Sequence, residues 1–291
     1  QAQYLGENIN LLGRWADGRC LGMAVHENIA YFGNGGNFEI VDFSEPSNPA
    51  KLGRKLFPRV VSGVTLSNNH AYVSCGSDGL RIIDVSDPSA PVELGRYKSD
   101  GSALQTAIVG RYAFLADAWN GLRILDISTP DAISEIGSYT AMRYATDLVV
   151  RDNFAYIAAS DSGFRVLDVS NPQSPTQTAF LPAQKATGVA LSGSYAYVSD
   201  YRVGLRIIDI SDPTSPSEVG VSDSPYFAND VAVAGDYAFV ADKVKGLVVI
   251  DVSDPTTPTK AAEFQTGGWA VKIAALNNIV YVSDIFGGLC L

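Results

Sequence analysis

Catalytic chemistry has few starting points in this chain. Its 291 residues include two histidines, His26 and His70, and three cysteines, Cys20, Cys75 and Cys290. A Ser–His–Asp or Cys–His arrangement would have to be built around one of those imidazoles, and neither has a partner cluster. Zinc sites need His/Cys sets that are missing, and three cysteines make neither a disulfide framework nor a CxxC pair. Carboxylates and aromatic rings are plentiful instead. Asp and Glu number 31 against 21 Lys and Arg, a net charge of −10, beside 14 Tyr, 12 Phe and 3 Trp. An acidic surface repels phosphate backbones, which argues against a nucleic-acid partner. It leaves room for a divalent cation such as calcium on oxygen ligands; no other cofactor is expected. No run of eighteen apolar residues occurs, so no helical membrane span is expected.

The carboxylates follow a pattern. The string Gly79-Leu80-Arg81-Ile82-Ile83-Asp84-Val85-Ser86-Asp87-Pro88 returns along the chain. Its first Asp recurs as Asp42, Asp84, Asp126, Asp168, Asp209 and Asp251, about 42 residues apart. An aromatic stands twelve residues earlier as Tyr72, Phe114, Tyr156, Tyr197 and Phe239. Tyr31 stands eleven before in the first copy, and Tyr281 belongs to a seventh. Each copy holds four short β-branched and aromatic runs, punctuated by Gly, Pro, Asp and Ser. No segment sustains a 3.6-residue period. Four strands in such a repeat make one propeller blade. The expectation is all-β: residues 1–291 as a single domain, a seven-bladed β-propeller of four-stranded antiparallel blades. The last repeat breaks off at Leu291 with its outer strand missing. Leu11-Leu12-Gly13-Arg14-Trp15 matches the outer-strand run Glu93-Leu94-Gly95-Arg96-Tyr97. The N-terminal strand is therefore predicted to complete the last blade, removing an open edge.

The repeated core (Leu-Arg-Ile-Ile-Asp, Leu-Val-Val-Ile-Asp, Phe-Arg-Val-Leu-Asp), with Val-Ser-Asp-Pro after it, resembles the LVIVD-repeat family. The resemblance covers essentially the whole chain. It departs in the first copy, Asn37-Phe38-Glu39-Ile40-Val41-Asp42, where Asn replaces Gly and Glu precedes the apolar pair. It implies a β-propeller of bacterial or archaeal cell-surface and secreted proteins, often joined to other modules. It implies no general enzymatic activity and carries no catalytic residues over. The start Gln1-Ala2-Gln3-Tyr4 is what signal-peptide cleavage leaves, and a trimmed chain looks the same. The localisation expected is extracellular, cell-surface or periplasmic.

Residues present in every copy read as blade structure. The Asp and its Ser-Asp-Pro are turn chemistry, with a ring of functional carboxylates as the alternative. The aromatics fill the space between blades. Arg81, Arg123, Arg165 and Arg206 form structural ion pairs or lay solvated stems along the sheet.

Function is sought where the copies differ. The loop into the inner strand and the loop after the second strand open on one face. At the first the copies read Arg19, Val60, Ser102, Tyr144, Lys185, Phe227 and Trp269. Three residues on they read Gly22, Gly63, Gln105, Asp147, Gly188, Asp230 and Lys272. After the second strand come Asp117, Asp200, Asp242 and Asp284, with Trp119, Tyr201, Arg202, Lys243 and Phe286 beyond. Those four aspartates are the candidate cation ligands; since they are not all on neighbouring blades, solvated charges are favoured over a single shared ion. The candidate ligand-binding set is Tyr144, Asp147, Phe227, Asp230, Trp269, Lys272, Trp119 and Tyr201. Tyr144 beside Asp147, Phe227 beside Asp230 and Trp269 beside Lys272 would suit a protein, a peptide or a sugar ring. The first reading is a non-enzymatic binding or assembly module with a protein or glycan partner on this face. The alternative is a carbohydrate-active lyase or hydrolase using the mouth carboxylates. A third is a structural subunit in a larger surface assembly. Loop drift without function is the bland account. An open pocket at Asp147, Asp230 and Lys272 would favour the enzyme, and a filled mouth would favour protein contact.

Overall fold

The computed structural model describes residues 4–5, 9–15 and 18–291. Seven antiparallel sheets succeed one another along the chain, each a blade with its first strand innermost. Blade 1 comprises Cys20–His26, Ile29–Asn34, Asn37–Asp42 and Ala50–Leu56. The inner strands of blades 2 to 7 are Gly63–Ser67, Gln105–Val109, Asp147–Arg151, Ala186–Ser192, Ala228–Ala234 and Ala270–Leu276. One short 3₁₀ turn, Pro130–Ala132, interrupts the strands. No helix among the described residues is long and apolar enough to cross a membrane.

Burial explains the repeat. The middle two strands of a blade are covered on both faces by neighbouring blades, so they read as continuous apolar runs such as Leu80–Asp84. The outermost strand is half-exposed and mixed, as in Val92–Tyr97. Two repeated residues then pack blade to blade. The aromatic of one blade shares a core cluster with the residue just after the repeated Asp of the next. Tyr31 meets Val85 this way, Tyr72 meets Ile127, and Phe114 meets Val169. Tyr156 shares its cluster with Ile210, Tyr197 with Val252, and Tyr281 with Phe43. Burying one such ring is worth about 1.5–3 kcal/mol. Between blades 6 and 7 no described residue takes the second role. Ile9 and Leu11 pack there instead, and Phe239 is the one repeat aromatic left only half-buried. A cavity of about 540 Å³ opens beside it, lined by Leu11, Phe239, Val249, Phe264 and Val280 among others.

The repeated Asp is turn chemistry. Its Oδ1 accepts the N–H two residues on, from Ser44, Ser86, Ser128, Ser170, Ser211 and Ser253, at 2.7 to 3.0 Å. These serine hydrogen bonds hold Asp84, Asp168 and Asp251 below the usual carboxylate range. The turn they shape puts a proline carbonyl against the outer strand of the preceding blade. A Cβ on Gly95 would lie 1.6 Å from the Pro130 oxygen, and one on Gly53 2.2 Å from that of Pro88. The strand arginines are structural. Arg81 pairs with Glu93 at 2.6 Å and with Asp78, Arg123 with Glu135 at 2.9 Å, and Arg206 with Glu218 at 2.5 Å. Arg165 has no acid at that place and stacks over Phe180 at 4.8 Å.

The ring closes as the sequence implies. Arg14 and Trp15 pair antiparallel with Cys290 and Leu289. Leu12 N–H donates to the Leu291 carbonyl at 2.8 Å, and Leu291 N–H to that of Gly13 at 3.0 Å. Gly13 plays the outer-strand role of Gly95, since its Cβ would meet the Pro46 oxygen of blade 1 at 1.6 Å. The departure in the first repeat finds its reason here. Glu39 is buried and accepts the Trp15 indole N–H at 3.1 Å and the Lys51 ammonium at 2.9 Å. It ties the closing strand to blade 1. A strand at Tyr4–Leu5, which the repeat does not foresee, adds a fifth member to blade 6 beside Thr259–Phe264.

Deleting residues 1–16 should lower thermal stability sharply and cause association through the bared edge of blade 7; a truncation that melts like the parent and stays monomeric would contradict this closure. Asp84→Ala and Asp209→Ala should each lower the melting temperature by a few degrees at pH 7. The folded state holds Asp84 and Asp209 below their unfolded values. Their contribution is therefore full above about pH 4 and fades as pH falls through the folded value. Calorimetry between pH 2 and 7 should show the gap to wild type closing toward acid.

Candidate functional site

The mouth loops are held by buried aspartates at the ends of the second strands. Asp200 accepts the Lys185 N–H at 2.7 Å, and Asp242 accepts those of Phe227, Val244 and Lys245 at 2.9, 2.7 and 2.8 Å. Asp284 takes the Thr266 hydroxyl at 2.5 Å and the N–H groups of Phe286 and Gly287, both at 2.8 Å. Asp117 takes the Ser99 hydroxyl at 2.5 Å and lies 3.6 Å from Arg123. Each joins the two mouth loops of its own blade or fastens the one after the second strand. Their oxygens accept these hydrogen bonds, so the four are not simply solvated charges. Among the described residues no three His, Cys, Asp or Glu side chains group as a metal site.

All eight candidate residues lie at this face, in two layers. The outer layer is aromatic. Trp119 of blade 3 meets Tyr144 of blade 4 edge-on at 4.7 Å, and Trp269 meets Phe286 within blade 7 at 5.4 Å. Tyr201 of blade 5 meets Phe227 of blade 6 at 5.1 Å, and Tyr226 stands against Phe227 at 4.9 Å. Trp119, Tyr226, Trp269 and Phe286 remain 68, 47, 51 and 69% exposed. Tyr226 was not foreseen; it stands one residue before the aligned position, so comparing copies by register passed over it.

The inner layer is charged. Asp147, Asp230 and Lys272 converge although they come from blades 4, 6 and 7. The Lys272 ammonium lies 3.3 Å from each carboxylate. Asp147 also accepts the N–H of Leu148 at 2.9 Å and of Val189, in the next blade, at 3.3 Å. Asp230 likewise accepts the Ile273 N–H of the next blade at 3.0 Å. Both aspartates are 5% exposed. Glycine makes room for them: a Cβ on Gly188 would sit 2.6 Å from Asp230 Oδ1, as one on Gly63 would sit 2.7 Å from Gln105 Oε1. Rings gather with rings from adjoining loops, while the carboxylates turn into the channel and meet the lysine. Alternate inner-strand residues point to opposite faces, and convergence at the axis brings distant blades together.

The charges are unevenly matched, with two buried carboxylates to one ammonium. Burial, and to a lesser degree the Asp147 charge, push Asp230 upward despite Lys272. Burial alone would lower Lys272, but the two carboxylates outweigh it and raise its pKa.

Comparisons with known proteins agree with this architecture. A family model described as the LVIVD repeat matches six segments, residues 17–55, 58–99, 100–141, 142–179, 183–223 and 227–266. No curated protein sequence matches the chain. Among solved structures, the β-propeller domain of Cps50 (Swd1) from Myceliophteria thermophila is similar, with a TM-score of 0.77 at 10% identity, covering 97% of this chain and 98% of that one. The computationally designed Ika8 protein gives 0.69 at 13% identity, over 96% and 97%. BamB from Moraxella catarrhalis gives 0.61 at 13% identity, over 100% and 95%. At such identities the likeness concerns the fold alone.

Lys272→Met should cost about 3–5 kcal/mol, because it strands two buried carboxylates. Asp230→Asn should cost far less, since an amide oxygen still serves Ile273 and Lys272 keeps Asp147. The sign of the pH effect follows from the raised pKa of Asp230. Its ionised form costs stability at high pH, and stability is recovered as pH falls from the folded value toward about 4. Urea unfolding at pH 5 and pH 8 should therefore show a smaller pH dependence in Asp230→Asn than in wild type.

Proposed function

The chain belongs to the LVIVD-repeat family, and from that premise we propose that it is a non-enzymatic binding module whose mouth face docks a protein partner. The observation that carries this reading is the outer aromatic layer lying over an inner layer whose charged groups are buried and paired. Large rings clustered in water are unusual on a monomer's surface. Trp, Tyr and Arg are the side chains that dominate binding energy at protein interfaces. Beneath them, the groups that an acid–base enzyme would use are committed to one another and to backbone amides. Acid–base catalysis needs a group within hydrogen-bond reach of substrate, and Asp147 and Asp230 turn away from solvent. A setting outside the cell or in the periplasm, within a larger assembly, belongs to the same proposal and rests on the family resemblance.

Trp269→Ala and Trp119→Ala should change the unfolding free energy by less than about 1 kcal/mol, since both rings stand in water. Photo-crosslinking from p-benzoylphenylalanine at positions 119 and 269 should capture a protein from an extract of the source cells. The same probe at position 109, the last residue of the inner strand Gln105–Val109 at its other end, should not. Equal capture at both ends, or adducts with glycan alone, would reject the reading.

A further inference from the structure

Three cations gather around one ring at the mouth. The ammonium groups of Lys185 and Lys243 lie 5.2 and 5.4 Å from the centroid of Tyr201, and the Arg202 guanidinium carbon lies 6.0 Å from it. Backbone hydrogen bonds fix the segments that carry them. Tyr201 N–H donates to the Lys185 carbonyl at 2.9 Å, Arg202 N–H to that of Tyr226 at 2.7 Å, and Lys243 N–H to that of Phe227 at 3.2 Å. Lys185, Tyr201 and Arg202 belong to blade 5, and Tyr226, Phe227 and Lys243 to the mouth loops of blade 6. The cluster therefore spans a blade interface that the propeller holds rigid.

Several other cations of this acidic chain that lie against the protein meet carboxylates. Lys272, Arg81, Arg123, Arg206 and Lys51 all do so. Lys185, Arg202 and Lys243 form no ion pair among the described residues; rings are their partners. The two acids that adjoin the cluster in sequence are occupied. Asp200 serves the Gln184 and Lys185 amides and Arg206, and Asp242 serves the amides of Phe227, Val244 and Lys245. Burial and the charge of Lys185 both lower the pKa of Lys243, so the two ammonium groups repel each other. An anion placed among the three would remove that repulsion and gain charge-assisted hydrogen bonds, with the Arg202 fork able to engage two oxygens. The rings of Tyr226 and Phe227 adjoin the cluster, offering apolar contact to whatever bears the anion.

We infer that Lys185, Arg202 and Lys243 around Tyr201 form a carboxylate-recognition subsite, which takes an Asp or Glu side chain of the protein partner. This inference rests on the reading of the mouth as a protein-docking face. It adds that the partner presents an acidic segment to blades 5 and 6. Opposite charge at this point would speed encounter and fix the register of docking, leaving the exposed tryptophans to supply the apolar contact.

The probe is a labelled hexaglutamate peptide, titrated by fluorescence anisotropy at 50 mM NaCl. Binding should weaken at least tenfold in Lys185→Gln/Lys243→Gln and again in 500 mM NaCl. It should be unchanged in Arg54→Gln, which removes a cation from the outer strand of blade 1. Lys185→Glu/Lys243→Glu should lose hexaglutamate and acquire hexalysine, which keeps the test informative if one variant is poorly behaved. No binding by wild type, or equal binding by the double glutamine variant, would overturn the subsite. So would tighter binding of a galacturonate oligomer than of hexaglutamate at these same residues, which would make the anion a sugar acid. Hexaglutamate binding without cross-links from position 269 would sink the wider docking face and leave the subsite; the reverse would sink the subsite alone.

Discussion

Blade packing governs this structure, because no blade can bury its own faces. At every blade interface but that of blades 6 and 7, an aromatic from one repeat meets the apolar residue after the Asp of the next. A chain of such contacts stays open at two ends unless the first and last blades are joined. The junction of Leu11 to Trp15 with Gly288 to Leu291 supplies that join. The glycines of the outer strand, the proline turns that abut them and the aspartates that shape those turns all serve the same spacing between sheets. Even the irregular first repeat follows from it, since Glu39 gives the closing Trp15 a buried acceptor.

The mouth separates recognition from support. Positions three residues apart at the entry to an inner strand reach different environments, one among the mouth loops and one at the axis. At the axis seven backbones come so close that Gly22, Gly63 and Gly188 leave no space for a Cβ, and the side chains of Gln105 and Asp230 lie over the two of them whose neighbours carry one. Charge placed there is used up in holding blades together. Charge and aromatic surface placed three residues earlier, or in the loop beyond the second strand, remain free to meet a partner.

Much of this was legible in the residues, and the reasons for success and failure are physical. Blade number, strand count and closure could be read because each depends on local periodicity, which a repeat prints again and again. The role of the repeated Asp could be read because Asp-x-Ser turns are closed within three residues. The convergence of Asp147, Asp230 and Lys272 could be suspected from their shared register, but not their mutual neutralisation. That depends on distances across an axis to which blades 4, 6 and 7 contribute from far apart in sequence. The partners of the exit aspartates, backbone amides two or three residues on and amides or hydroxyls of the entry loop fifteen to eighteen residues before, leave no trace in side-chain pattern. The fifth strand on blade 6 and the unfilled space beside Phe239 belong to the two chain ends, where periodicity stops informing.

The triad under the mouth also has a mechanical meaning. Blades 4 to 7 form an arc whose members touch only in succession, while Lys272 reaches across the axis to Asp147 on the far side of that arc. It is a chord, and a chord stiffens the arc it subtends. Blades 1 to 3 have no such brace among the described residues, and the closing junction lies at their edge. The ring is thus a stiff sector joined to a compliant one. Tyr144, Tyr201, Phe227 and Trp269 all project from the stiff sector. A partner landing on them meets a surface that loses little freedom on docking, while thermal opening of the ring would be taken up on the other side.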